Sequence, residues 1–310
     1  MIRRHKILRY VPALFLMACL SACQGGGTSV DKTATLEDSM QKPLPDTSAA
    51  DPVNPTVVSE VPSAPSSDPE DPVNTPPAAV RVFAKDVLLF NGTGVSTSDW
   101  QSTEQIIKSQ GMSYQLVNSA QLSAMTLDEI ANFGTLVVPG GSGGSIYGGV
   151  SADARLRIRQ AVRERGVGYV GFCAGAWVAV GPEAETTKAA SYGFAVAKGN
   201  VLSLFHPNGQ TPTAAMVEVS FADGSHRDLV WWGGPSTPEW AGGVVAKYDT
   251  GEPAISETFS GKGLVIISGP HPEAPQGWRA TAGNDSDGLD YDIAIKMIQG
   301  AIQQKPLEAF

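Results

Sequence analysis

Cysteine is scarce in this chain: Cys19, Cys23 and Cys173 are the three in 310 residues. A disulfide framework is therefore excluded, and a domain of about 230 residues is large enough to build one core without staples. Positive charge is also lacking. Of 22 bases and 31 acids, the first 23 residues hold four bases, and residues 24–80 hold two bases and nine acids. That leaves 16 and 22 in the remainder, a net charge of −6 with no basic stripe, so nucleic acid is not an expected partner. The N-terminal apolar stretch, residues 11–20, is too short to span a bilayer. The glycine-rich segment from Pro139 to Gly144 has neither the lysine nor the spacing of a Walker motif, which argues against a nucleotide cofactor. His206 and His226 have no suitably spaced partner, and Asp285, Asp287 and Asp290 around Gly288 fail the EF-hand pattern, so no metal is expected.

The N-terminus itself reads as an address. Arg3, Arg4, Lys6 and Arg9 precede the apolar stretch, which ends in Leu20, Ser21, Ala22 and Cys23. This is the pattern of a bacterial lipoprotein signal: residues 1–22 are expected to be removed and Cys23 to carry lipid, anchoring the chain to a membrane of the bacterial envelope; the alternative is an ordinary cleaved secretory signal with Cys23 incidental. Gln24, rather than Asp, after that cysteine leans towards the outer membrane. Residues 23–84 read as a disordered tether. In 24–80, ten of 57 residues are proline and none is aromatic, so too little apolar surface is available to offset the entropy of ordering.

Residues 85–310 read as the folded domain, and two motifs in it carry chemistry. Gly171 to Ala176 (GFCAGA) follows an apolar run suited to a strand and precedes small residues suited to a helix. A strand, sharp turn and helix would lift Cys173 above a sheet edge, where the helix N-terminus favours thiolate. Ser268 to Glu273 (SGPHPE) follows a second such run, so His271 emerges at another strand's carboxyl end. His271 is then a candidate general base for Cys173, and Glu273 a candidate to orient the imidazole. Once Cys19 leaves and Cys23 is lipidated, Cys173 is the remaining thiol. A buried structural cysteine is the alternative.

GFCAGAW, SGPHPE and an upstream LVVPGG resemble the class I glutamine amidotransferase superfamily, in the branch named after the N-terminal domain of biotin-protein ligases. The opening strand around residues 87–95 and the WWGGP segment from Trp231 are similar to that branch too. The resemblance implies a flavodoxin-like sheet and a Cys, His, Glu triad on Cys173, His271 and Glu273. It implies no settled activity. A related group pairs its cysteine with an acid from the first strand region, where this chain has Asn91 and Gly92.

Strand-like runs at residues 87–90, 114–117, 135–138, 168–172 and 264–268 alternate with helical patterns at 98–109, 126–133 and 152–165. The alternation predicts an α/β, flavodoxin-like, doubly wound parallel sheet. Residues 195–257 lose that rhythm and predict an antiparallel elaboration before the last core strand. The arginines of 155–165 are expected on a solvated helix face, and the aspartates near Gly288 in a solvated loop. Trp231, Trp232, Trp240 and Trp278 suit either a substrate pocket or core packing. The 139–144 segment is either a surface turn or, with Gly141 N–H and Ala174 N–H converging, an oxyanion hole.

The function these residues support is hydrolysis of an amide, peptide or ester through a thioester, on a small-molecule or peptide substrate. ATP-dependent transfer of ammonia and biotin ligation are not expected at an envelope location, which lacks ATP. A non-catalytic, surface-tethered binding protein on the same fold is the alternative.

Overall fold

The computed structural model describes residues 81–182, 190 and 192–310. The expected signal, Cys23 and the tether up to residue 80 lie outside the described residues. In chain order the elements are β1 (Lys85–Phe90), α1 (Thr97–Ser109), β2 (Tyr114–Val117), α2 (Ser119–Ala124), α3 (Leu127–Ala131), β3 (Phe133–Val138), α4 (Gly143–Gly149), α5 (Ala152–Arg163), β4 (Gly168–Phe172) and α6 (Ala174–Ala179). There follow β5 (Val180–Gly181), β6 (Ala197–Lys198), β7 (Ser203–Leu204), β8 (Ala215–Phe221), β9 (His226–Trp231), β10 (Pro235–Ser236), β11 (Val244–Tyr248), β12 (Pro253–Ser260), β13 (Gly263–Ser268), α7 (Arg279–Ala282) and α8 (Tyr291–Gln303).

The main sheet runs β2-β1-β3-β4-β13-β12-β11-β8-β9. Its first five strands are mutually parallel, in the flavodoxin-like order, and the other four continue it antiparallel. The antiparallel strands come from the stretch before β13, as the loss of rhythm predicts. β3, β4 and β13 are buried along their whole length, which is why they read as unbroken apolar runs rather than alternating ones. Alternate residues feed two cores. Leu88, Leu136, Tyr169 and Val265 pack with Ile158 and Val162 of α5. Val87, Val137, Val170 and Ile266 pack with Ile106 and Ile107 of α1 and with Ile293, Met297 and Ile298 of α8.

The helices start where the capping chemistry is. Asn118 with Gln121, and Thr126 with Glu129, form capping boxes at α2 and α3, and Ser151 caps α5. The helix expected over 126–133 stops at Ala131, because Phe133 already belongs to β3. The 139–144 segment is not all loop: Ser142 caps α4, which starts at Gly143. None of the described helices is long and apolar enough to cross a membrane.

Two expectations of solvated charge are corrected. Arg155 and Arg159 are 9% and 0% exposed; Arg155 lies 3.9 Å over the Tyr147 ring, and Arg159 Nε donates to Phe194 O. The i, i+4 spacing places both on the inner face of α5, where long apolar stems pack and the guanidinium finds carbonyl and aromatic partners. The aspartates near Gly288 form an ion-paired knot: Asp290, fully buried, pairs with Arg227 at 2.9 Å and Arg279 at 3.0 Å, and Asp285 pairs with Arg279.

Candidate active site

Register brings the two motifs to one edge. Phe172 of β4 is paired with Ser268 of β13, so both chains leave the sheet at the same level, and Val138 of β3 is paired with Gly171 beside them. Cys173 makes the turn into α6 with φ 47° and ψ −103°. For a residue with a side chain this backbone costs about 1–3 kcal/mol. It is held by a bond from Cys173 N to Ser268 O (2.8 Å) and by the Ala176 and Trp177 amides on Cys173 O. Gly175 makes the tight packing of α6 possible, since a Cβ there would lie 1.9 Å from Val138 O.

Cys173, His271, Gly141, Trp232, Trp278, Asp99, Ser96 and Ser98 line one cavity of about 310 Å³. Cys173 is 4% exposed and directs its S–H towards Trp232 O at 3.6 Å. His271 is fixed from three sides. Its backbone N–H donates to Val230 O at 2.7 Å, its Nδ1 lies 2.8 Å from Glu273 Oε1, and its ring meets Trp278 edge-on. Glu273 is itself held through its carbonyl, which accepts from Ser102 Oγ at 2.6 Å. With Nδ1 given to the carboxylate, Nε2 is left buried and without a hydrogen bond, free to exchange a proton with a neighbour. Ala174, next to Cys173, starts α6, and first-turn N–H groups have no intrahelical acceptor. The structure thus brings Cys173, His271 and Glu273 together, with Gly141 and Ala174 beside them.

Sequence reasoning missed Asp99. This residue of the first turn of α1 is 1% exposed, accepts from Gly140 N–H at 3.0 Å and places Oδ2 3.5 Å from His271 Nδ1. An acid does enter from beyond the first strand, eight residues past Asn91, and it faces the imidazole. Its only signal in the sequence is an acid in a helix's first turn, which reads as a complement to the helix dipole. The four tryptophans divide: Trp232 and Trp278 line the cavity, Trp231 is fully buried, and Trp240 Nε1 bonds Lys198 O at 3.1 Å.

The electrostatics are those of a buried acidic pair beside an imidazole. Burial, and then the neighbouring Glu273, push the Asp99 carboxyl well above the usual carboxylate range. Burial pushes Glu273 to about 7. For His271, burial favours the neutral ring, but the charges of Cys173 and then Asp99 outweigh it and the net direction is upward. Among the described residues, two sets of side chains have metal-ligand types within 4.8 Å of one another: Asp99, His271 and Glu273 here, and Asp228, Asp285 and Asp287 at the ion-paired knot. In the first set the imidazole Nδ1 is already engaged by Glu273, and in the second the carboxylates are taken up by Arg279, Arg227 and backbone amides.

No curated protein matches this chain. Among solved structures, it is similar to a glutamine amidotransferase at 18% identity, covering 69% of this chain and 98% of that one, with a TM-score of 0.43. A glutamine amido transferase from Methylobacillus flagellatus is similar at 10% identity over 71% of this chain and 92% of that one, TM-score 0.39. The glutaminase domain of Trypanosoma brucei CTPS with bound acivicin is similar at 15% identity over 72% and 95%, TM-score 0.42. Residues 85–211 match the family model described as "Biotin-protein ligase, N terminal", a region that includes Asp99, Gly141 and Cys173 and ends before His271. The domain's parallel strands stand in the flavodoxin-like order, and its first part, residues 85–211, is similar to the N-terminal domain of biotin-protein ligases.

Proposed function

We propose that the protein is a cysteine-nucleophile hydrolase of the bacterial envelope, lipid-anchored through Cys23, that cleaves an amide, peptide or ester. The observation that carries the reading is Cys173 on a strained turn, opening into the same cavity as an imidazole whose Nδ1 is held by Glu273 at 2.8 Å. In the reaction, the Cys173 thiol passes its proton to His271 Nε2 and the thiolate adds to the carbonyl carbon. The resulting oxyanion is held by the Gly141 and Ala174 N–H groups. Collapse breaks the bond to the amine or alcohol, which takes the proton from Nε2 and leaves a thioester on Cys173. Water, giving its proton to His271, then releases the acid, and the thiol is restored. Among the described residues, no lysine or arginine lines the cavity, which suits an uncharged acyl group.

The test is turnover of a panel of amides, esters and peptidoglycan fragments by the wild type and Cys173→Ser. The expected result is hydrolysis by the wild type alone, with a trapped acyl adduct on Cys173 by mass spectrometry. A second reading, a tethered binding protein, is favoured by one observation: Cys173 is buried, 4% exposed, with its S–H directed at the Trp232 carbonyl. It predominates if nothing is turned over and iodoacetamide alkylates Cys173 at the same rate in the wild type and His271→Ala.

A further inference from the structure

We infer that Asp99 is a positioning residue of this site: one carboxyl group that sets His271 in register with the 140–141 loop and doubles Glu273 as the acidic partner of the imidazole. The use made of the imidazole rests on the hydrolase reading; the placement of Asp99 does not.

Both halves of the claim lie in the two oxygens of Asp99. Oδ1 accepts the Gly140 N–H at 3.0 Å, and the approach to α1 is laced to the same loop by Ser96 N to Gly140 O (3.0 Å) and Ser142 N to Gly94 O (2.8 Å). The loop that presents Gly141 is therefore anchored by the residue that faces His271. Oδ2 lies 3.5 Å from His271 Nδ1, and neither it nor the equally buried Glu273 Oε2 accepts from any N–H or hydroxyl, which leaves the two carboxyl groups to face each other. Gly140 leaves the space for this, since a Cβ there would sit 2.5 Å from both Asp99 Oδ2 and His271 Cε1.

Among the described residues, the ionisable groups facing the imidazole are Cys173 from the turn into α6, Asp99 from α1 and Glu273 from its own loop, and none of them is a permanent cation. Two buried carboxyl groups with oxygens within 4.8 Å of each other do not both ionise, so the pair holds one proton and one negative charge, as coupled acids do. Either member can carry that charge. Replacing one by its amide ionises the other and keeps the charge beside His271. Replacing both removes it.

The experiment follows the His271 Cε1–H resonance against pH in the full chain carrying Cys173→Ser, so that no thiolate contributes. Asp99→Asn and Glu273→Gln singly are expected to keep the midpoint near that of the parent, and the double variant to lower it by about one unit or more. A double variant with the same midpoint as Glu273→Gln alone overturns the shared-charge role. The anchoring role is read on single variants by hydrogen exchange at the Gly140 amide: Asp99→Ala loses protection about tenfold or more, and Asp99→Asn, which keeps an acceptor, retains it. Unchanged protection in Asp99→Ala overturns that role. Neither measurement depends on turnover, so failure of the hydrolase reading would be recognised separately.

Discussion

Adding one methyl group at Gly140 tests whether the relative placement of His271 and Cys173 controls the sulfur. In Gly140→Ala the new Cβ would lie 2.5 Å from Asp99 Oδ2 and 2.5 Å from His271 Cε1, where ordinary contact begins at 3.4 Å. Each neighbour must retreat by about 1 Å, an overpacking that costs about 2 kcal/mol. For a domain of this size that lowers Tm by about 6 °C. Neither neighbour is free to move. His271 is bonded at its backbone to Val230 and at its ring to Glu273, and Asp99 is bonded to the Gly140 amide itself. The strain therefore goes into the angle between imidazole and sulfur. A displacement of this size in a site of this kind slows the chemistry on the order of 100-fold. The assay is the rate of iodoacetamide alkylation at Cys173, followed on its peptide by mass spectrometry well below Tm. Gly148→Ala, where an added Cβ meets nothing within 4 Å, serves as the control. An alkylation rate in Gly140→Ala within twofold of the control would refute the claim that His271 governs the sulfur from this position.

Other substitutions probe the packing, the buried charge and the anchor. Gly175→Ala drives a Cβ to 1.9 Å from the backbone oxygen of Val138, so α6 must leave the sheet, and thermal melting should show a loss of more than about 4 kcal/mol. Trp231→Ala removes a fully buried indole and its bond to Gly234 O, at a cost of about 3–5 kcal/mol in denaturant unfolding. Glu257, buried with both oxygens on the Leu307 amide, has its carboxyl raised by burial from 4.5 to about 7. The folded state then binds the proton more tightly than the unfolded chain. Stability is therefore fullest below pH 4.5 and falls as pH rises towards 7, by about 3 kcal/mol from this group. Glu257→Gln should flatten that part of the stability profile, and an unaltered slope would contradict the assignment. Cys23→Ser should move the protein from the membrane fraction to the soluble fraction of cells and abolish fatty-acid labelling.

Much of the sheet is legible in the sequence because each central parallel strand is buried on both faces and so reads as an uninterrupted apolar run bounded by glycine or polar residues. Cys173 and His271 are legible for a related reason: each comes just after such a run, and two strands in register must deliver the residues beyond their ends to one edge. α2 and α4 do not read as helices, because six or seven residues give no full period and α4 carries four glycines. The burial of Arg155 and Arg159 is hidden by their charge, which suggests exposure, when position on the helix face decides the matter. Asp99 lies beyond reach for a deeper reason. Its role depends on Gly140, 41 residues away, and on His271, and no local pattern encodes contacts that exist only once β1, β3 and β13 are gathered around β4 in one sheet. The glycine pair at 140–141 is visible, and it invites a reading as a loop shaped for a substrate oxygen. In the fold, the missing side chain at 140 also makes room for two protein groups, Asp99 and His271. A glycine after a parallel strand can therefore mark where the chain brings its own side chains together as well as where it receives a ligand, and only the occupant of the space that a Cβ would fill tells which.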